Sequence, residues 1–183
     1  MCSSIGLDAE LVTSSKQLAD YPRVVLPGVG HFDACVVALE RQGFFPMIQD
    51  YYRRSVGPIL GVCVGGQVLG RESEEGGMTG LSLLPMSTRR IVSTIRQVPH
   101  MGWSDTKWST SSPFSSSEST RYYYSHSYEM RPEDTAGIAA TLQYDGSRVA
   151  AVYADGVMPV QFHPEKSHRF GKSLFEWFSG WRP

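Results

Sequence analysis

The stretch "PILGVCVGGQ", Pro58 to Gln67, constrains this chain more than any other. A short apolar run, typical of a strand covered on both faces, gives way at once to a Gly-x-Cys-x-Gly pattern, Gly61 to Gly65, and then to a segment that reads as helix to about Arg71. A strand that turns directly into a helix needs small residues around the bend, because side chains there collide with the backbone. The residue at the apex is Cys63. It is either a nucleophile held on a strained turn at a helix start, or a small buried thiol in a glycine-rich bend.

The surrounding pattern supplies a sheet for that turn to sit on. "AELVT", Ala9–Thr13, and "RVVLP", Arg23–Pro27, read as strands. "HFDACVVALERQGF", His31–Phe44, carries apolar residues three and four apart, as a helix requires, and "PMIQDYYRR" reads as a second helix. This β-α-β-α alternation predicts an α/β fold: an open, mainly parallel sheet with helices on both faces. The second half changes rhythm. "STRRIVST", "RYYYSHSYEM" and the run Ala136–His163 read as successive antiparallel strands, with "YDGSR" a two-residue-type hairpin turn. His168 to Gly180 reads as a final helix. The serine-rich tract Trp108–Thr120 has little to bury and is expected to form an exposed loop. No repeat or linker divides the 183 residues, so one domain spanning 1–183 is expected.

Composition narrows the function classes. A formal net charge of −1 with no basic block argues against nucleic acid or an anionic membrane as partner. Three scattered cysteines, Cys2, Cys35 and Cys63, fit neither a disulfide framework nor a zinc site, and point to a reducing cytoplasm. No cofactor or metal is expected.

A catalytic thiol needs a base, and the base needs an orienting carboxylate. "QFHPEKS", Gln161–Ser167, offers both: His163 and Glu165 are two apart in an extended segment, hence on one side of it. Alone, a His-Pro-Glu is an ordinary surface turn. With the elbow it completes a Cys63–His163–Glu165 set. "LPGVGHF", Leu26–Phe32, ends a strand in a glycine-flanked loop, Gly28–Val29–Gly30, whose N–H groups can face an anion. No Gly-Lys-Ser/Thr follows, so it is a poor phosphate loop. The Val64 N–H, next after the nucleophile, is a second oxyanion donor.

In this order, "LPGVGHF", "GVCVGGQ", "VPHMGWS", "YYYSHSY" and "PVQFHPEKS" resemble a class I (triad) glutamine amidotransferase. "PHMGW" and "HSY" narrow the resemblance to the glutaminase subunit of imidazole glycerol phosphate synthase. It spans nearly the whole chain. It implies that Cys63 attacks the side-chain amide of glutamine, with His163 as base then acid and Glu165 orienting it. Gln67, Glu75, Ser127 and Tyr128 would hold the substrate, Glu75 at its α-ammonium and Ser127 and Tyr128 at its α-carboxylate and amino end. It further implies a heterodimeric (β/α)₈-barrel synthase partner that uses the ammonia to make imidazole glycerol phosphate and the ribonucleotide AICAR in histidine biosynthesis. Pro99, His100, Met101, Gly102 and Trp103, with Lys166, would lie at that interface.

Three features depart from the family pattern. The family opens with a strand ending in an Asp-x-Gly-x-Gly-Asn-like turn, and none is found here, so a first strand is expected to be missing. Gly66 stands where the family has Met, which is expected to loosen the nucleophile. Ser104 follows Pro-His-Met-Gly-Trp in place of Asn, which leaves open another acceptor, such as a surface-polysaccharide sugar amidotransferase. A catalytically impaired amidotransferase-like scaffold is the non-enzyme alternative.

Overall fold

A computed structural model describes residues 1–115 and 120–183. The β-α-β alternation is present: β1 (Val24–Gly28), α1 (Phe32–Arg41), α2 (Phe44–Arg53), β2 (Ile59–Cys63) and α3 (Val64–Gln67) follow in order. Gly43, at φ 71°, separates α1 from α2 at a backbone conformation that glycine adopts at no steric cost. The chain then forms β3 (Glu72–Ser73), β4 (Met86–Arg90), β5 (His100–Trp108), β6 (Thr120–His126), β7 (Tyr128–Pro132), β8 (Ile138–Gln143), β9 (Ser147–Val152), β10 (Val157–Val160) and α4 (His168–Gly180).

Seven strands form one mixed sheet in the order β1-β2-β10-β9-β8-β5-β6. β1, β2 and β10 run parallel, and every later pairing is antiparallel. Every residue of β2 and of β10 is buried, which explains their unbroken apolar character. The sheet curls enough for its last strand to meet the chain just past β10: the His163 N–H donates to the Tyr123 carbonyl at 2.8 Å. That closure brings the end of β6 over the end of β2. A smaller sheet, β3-β4-β7, flanks it.

Five sequence expectations are corrected. Ala9–Thr13 forms no strand; Leu11 is 83% exposed, and an alternating pattern without a neighbouring strand has nothing to pair with. The helix after Cys63 is a single turn ending at Gln67, since the chain must bend at Gly70, where a Cβ would lie 2.6 Å from the Met86 carbonyl oxygen. "RYYYSHSYEM" is two strands, not one: β6 belongs to the large sheet and β7 to the small one, with Ser127 as the crossing point. The "YDGSR" hairpin closes at Gln143 and Ser147, leaving three residues in the loop, with Asp145 and Gly146 both at positive φ. The serine-rich tract is not wholly exposed. Phe114 is buried, its ring 4.6 Å from that of Trp108 and 5.3 Å from that of Trp177, so one aromatic pins the tract to the body. The part of that tract at 116–119 lies outside the described residues.

Among the described residues, no helix is long and apolar enough to cross a membrane.

Candidate active site

Cys63 ends β2 and caps α3 with φ 53° and ψ −116°. A non-glycine residue at positive φ is costly, of order 1–3 kcal/mol, and persists only where the surroundings enforce it. Two glycines do so. Gly28, the last residue of β1, is paired with Cys63 itself. A Cβ on Gly28 would fall 2.1 Å from the Gly65 nitrogen, and a Cβ on Gly65 would fall 2.1 Å from the Leu26 carbonyl oxygen. The end of β1 therefore lies directly on the backbone of the elbow. The Val64 N–H, at the first position of α3, has no intrahelical partner to satisfy.

His163 follows β10, which is the parallel neighbour of β2, so the two strands deliver sulfur and imidazole to the same end of the sheet. Its Nδ1 is 2.7 Å from Glu165 Oε1. The ring is buried, and its backbone is pinned by Ser167, whose hydroxyl donates to the His163 carbonyl at 2.6 Å. The hydrogen bond with Cys63, then the hydrogen bond with Glu165, raise the His163 pKa from 6.5 to about 9 against the opposing effect of burial. Burial is the largest single effect on the Glu165 carboxyl and pushes it up, but the bond from His163, its own backbone N–H and the charges of His163 and Lys166 together outweigh it and leave the pKa below its usual value. His163 thus holds a proton at neutral pH with its partners on both sides.

A stability signature follows. Because the folded pKa of His163 is raised, its contribution is complete below about pH 6.5 and is lost as pH rises through about 9. The gap in urea midpoint between the protein and His163→Gln is expected to be widest at the acidic end of that window and to shrink across it. A gap that stays constant would contradict the raised pKa.

The sulfur faces a cavity of about 380 Å³ lined by Val29, Gly30, Cys63, Val64, Gln67, Glu75, Pro99, Ser125–Tyr128, His163 and Lys166. Six segments meet here: the loop after β1, the elbow, the loop after β3 at Glu75, Pro99 just before β5, the β6–β7 crossover and the loop after β10. Glu75 Oε2 accepts the Phe32 N–H at 2.8 Å, so one oxygen caps α1 while the residue lines the cavity. Asp33 staples the same region by accepting the Gly77 and Met78 N–H groups, which hold its carboxyl below the usual range. Gly28 lies behind the lining, against Gly65. Of the "PHMGW" residues only Pro99 lines the cavity. Met101 and Trp103 point outward beside it, 63% and 38% exposed, whereas the His100 ring is turned in and is 2% exposed.

Likenesses to known proteins bear on this arrangement. The sequence model described as glutamine amidotransferase class-I matches residues 3–179. The chain belongs to the class-I glutamine amidotransferases. It is 38% identical over 181 residues to "Imidazole glycerol phosphate synthase subunit HisH 2" of Pseudomonas aeruginosa, covering 97% of this chain and 90% of that one. It is 35% identical to the protein of the same description from Methanococcus maripaludis, with the same coverage. A solved structure described as a glutamine amidotransferase superposes with TM-score 0.75 at 16% identity, covering 98% of this chain and 90% of the other. The glutaminase domain of Trypanosoma brucei CTPS superposes with TM-score 0.60 at 19% identity, over 92% and 75% of the two chains. These structural likenesses concern the fold.

Within this class I amidotransferase, Gly66 does not leave a hollow. A Cβ there would already stand 3.0 Å from the Gly61 carbonyl oxygen and 3.1 Å from Pro159 Cβ. The Pro159 ring on β10 fills the place beside the elbow, so the expected loosening does not arise from a void at this position.

Two residues at the amidotransferase site escaped the sequence reading. Gln161 is fully buried; its Nε2 donates to Cys63 Sγ at 3.8 Å, and its Oε1 accepts from Gln67 Nε2 at 3.0 Å. The signal was available, since Gln161 and His163 are two apart along one extended run and share a side. Ser167 was the other, and its hydroxyl also accepts the Tyr123 N–H at 3.0 Å. Cys35 takes no part: it sits on α1, and burial pushes its thiol up to about 11.

Proposed function

We propose that this protein hydrolyses glutamine to glutamate and ammonia and passes the ammonia to a synthase partner, as the glutaminase subunit of imidazole glycerol phosphate synthase. The observation that carries the reading is Cys63 on a strained elbow beside His163 and its bonded Glu165, in the wall of a cavity that Glu75 also lines. The descriptions of the relatives from Pseudomonas and Methanococcus support the acceptor.

In the proposed reaction the Cys63 proton passes to His163 before the substrate is attacked, and the sulfur then attacks the amide carbon of glutamine. The oxygen, now negative, takes hydrogen bonds from the Val64 N–H and the backbone of Val29 and Gly30, with Gly28 holding that loop against the elbow, the kind of preorganised donors that contribute most where charge develops. His163 returns the proton to the amide nitrogen, and ammonia leaves behind a glutamyl thioester. Water, deprotonated by His163, attacks the thioester; the carbon–sulfur bond breaks, glutamate departs, and His163 is left holding its proton for the next turnover. Glu165 fixes the imidazole by accepting from Nδ1, which leaves Nε2 for the proton transfers. Glu75 and Gln67 hold the α-ammonium end, and Ser127 and Tyr128 hold the α-carboxylate.

The partner would be a (β/α)₈ barrel bound as a heterodimer. Met101 and Trp103, exposed apolar residues on β5, suit its docking, with the cavity-lining Lys166 over the Tyr123 ring that Trp103 meets edge-on. Cysteines that form no bridge among the described residues suit a reducing cytoplasm.

Glutamate release is expected to be slow for the chain alone. Addition of the synthase partner with its nucleotide acceptor is expected to stimulate it by about a hundredfold, the scale set by bringing reacting groups into alignment. A coupled glutamate dehydrogenase assay measures both. Failure to release glutamate with any synthase partner would overturn the reading.

A further inference from the structure

His100 and His126 are both buried, and neither belongs to the Cys63–His163–Glu165 set. They are hydrogen-bonded to each other, His100 Nδ1 to His126 Nε2 at 3.0 Å. At one end His126 Nδ1 is 2.8 Å from the Tyr128 carbonyl oxygen; at the other, His100 Nε2 is 2.9 Å from Ser104 Oγ.

The chemistry fixes the direction of this chain. A carbonyl oxygen only accepts, so His126 Nδ1 carries a proton. In a neutral ring its Nε2 is then an acceptor, so His100 Nδ1 carries a proton too. His100 Nε2 is in turn an acceptor, and the Ser104 hydroxyl must donate to it. Burial, with the neighbouring histidine and Arg148, pushes His100 down to about 3, and burial with Arg148 and His163 leaves His126 at about 4, so both rings are neutral near pH 7. The His100 ring is clamped between Tyr124 and Tyr144, with centroids 4.8 and 3.9 Å away.

The chain continues into the cavity. The Tyr128 carbonyl accepts a second bond, from Gln67 Nε2 at 3.1 Å, and the same nitrogen donates to Gln161 Oε1. Both amide hydrogens of Gln67 are thereby committed. Its Oε1 remains as an acceptor, which suits a cationic or N–H donor end of the ligand. The crossover at Ser127, where the strand leaves one sheet for the other, is spanned by the His126–Tyr128 bond.

We infer that Ser104, His100 and His126 form a positioning relay that fixes the Tyr128 carbonyl, and through it the acceptor face that Gln67 turns to the α-amino end of glutamine. The inference rests on the glutaminase reading. Ser104, where the family has Asn, is the outer anchor of the relay.

The test uses the full chain carrying Cys63→Ala, so that glutamine binds without turnover, and follows binding by calorimetry. An asparagine at 126 places its amide near the position of Nδ1 and keeps the donor to Tyr128. A glutamine reaches the position of Nε2 and loses it. His126→Gln is expected to weaken glutamine binding by about tenfold, the scale of one lost hydrogen bond of this kind, and His126→Asn by about threefold or less. Equal losses in the two variants would overturn the relay. If the parent Cys63→Ala chain fails to bind glutamine, the glutaminase reading fails instead. A ¹⁵N imidazole spectrum of the unmutated chain gives an activity-independent check. Both rings are expected to be protonated at Nδ1 and bare at Nε2, and Ser104→Ala is expected to perturb the His100 signals. A proton on Nε2 of either ring would overturn the relay.

Discussion

Cys63→Ala is expected to lower glutamine hydrolysis by about 10⁴-fold or more, because the covalent route disappears with the sulfur. Whatever activity survives must come from water attacking glutamine in the cavity, with only oxyanion donors and binding to help. The substitution is small and the site is buried, so the fold is expected to persist, with a change in stability of about 1–2 kcal/mol or less. That separation makes the experiment decisive. Cys35→Ala and Cys2→Ala are controls of a different kind: Cys35 is held on α1 with its thiol pushed up to about 11, and Cys2 lies in the first turn of the chain. Both are expected to leave turnover within about twofold, the range for changes away from the reacting atoms. Steady-state kinetics with the synthase partner present, read beside a urea titration of each variant, measures all three. Activity retained in Cys63→Ala would remove the thioester mechanism.

Why the sequence disclosed some of this site and concealed the rest follows from how far each constraint reaches. The elbow was legible because a local clash dictates glycine at fixed offsets from the nucleophile; Gly61 and Gly65 bracket Cys63 for that reason. His163 and Glu165 were legible because their contact is made within three residues. β1, β2 and α4 were legible because their apolar spacing matches the period of the element they form. Ala9–Thr13 has the right residues for a strand, but pairing is not written in the segment itself. The break at Ser127 depends on two separate sheets, one receiving β6 and the other β7. Gln161 was overlooked although it shares a side with His163, because a buried glutamine acquires meaning only when Gln67 and Cys63 are seen to meet it. The effect of Gly66 was likewise a matter of its neighbour. Whether a missing side chain leaves a hole is decided by Pro159, nearly a hundred residues later.

The second large effect is expected from a single methyl group at Gly28. This residue pairs with Cys63 across β1 and β2, and its Cβ would stand 2.1 Å from the Gly65 nitrogen and 2.8 Å from the Val64 carbonyl carbon. Backbone cannot swing aside as a side chain can. To reach an ordinary contact distance the end of β1 and the elbow must separate by about 1 Å, and both carry reacting groups in the proposed mechanism: one the Gly28–Val29–Gly30 loop, the other the sulfur and the Val64 N–H. A displacement of that size costs about a hundredfold in rate where alignment governs the chemistry. Gly28→Ala is therefore expected to lower kcat/KM for glutamine by about a hundredfold and to destabilise the fold by about 2–3 kcal/mol, the range for overpacking a filled site. Gly30→Ala supplies the contrast. Gly30 has φ 90° and nothing within 4 Å of its Cβ position, so alanine there meets conformational strain without collision, and about 1 kcal/mol is expected. The order of the two urea midpoints, Gly28→Ala below Gly30→Ala, checks the packing argument apart from any catalysis. If Gly28→Ala instead keeps both its midpoint and its turnover, the close approach of β1 to the elbow is not what holds Cys63 at positive φ.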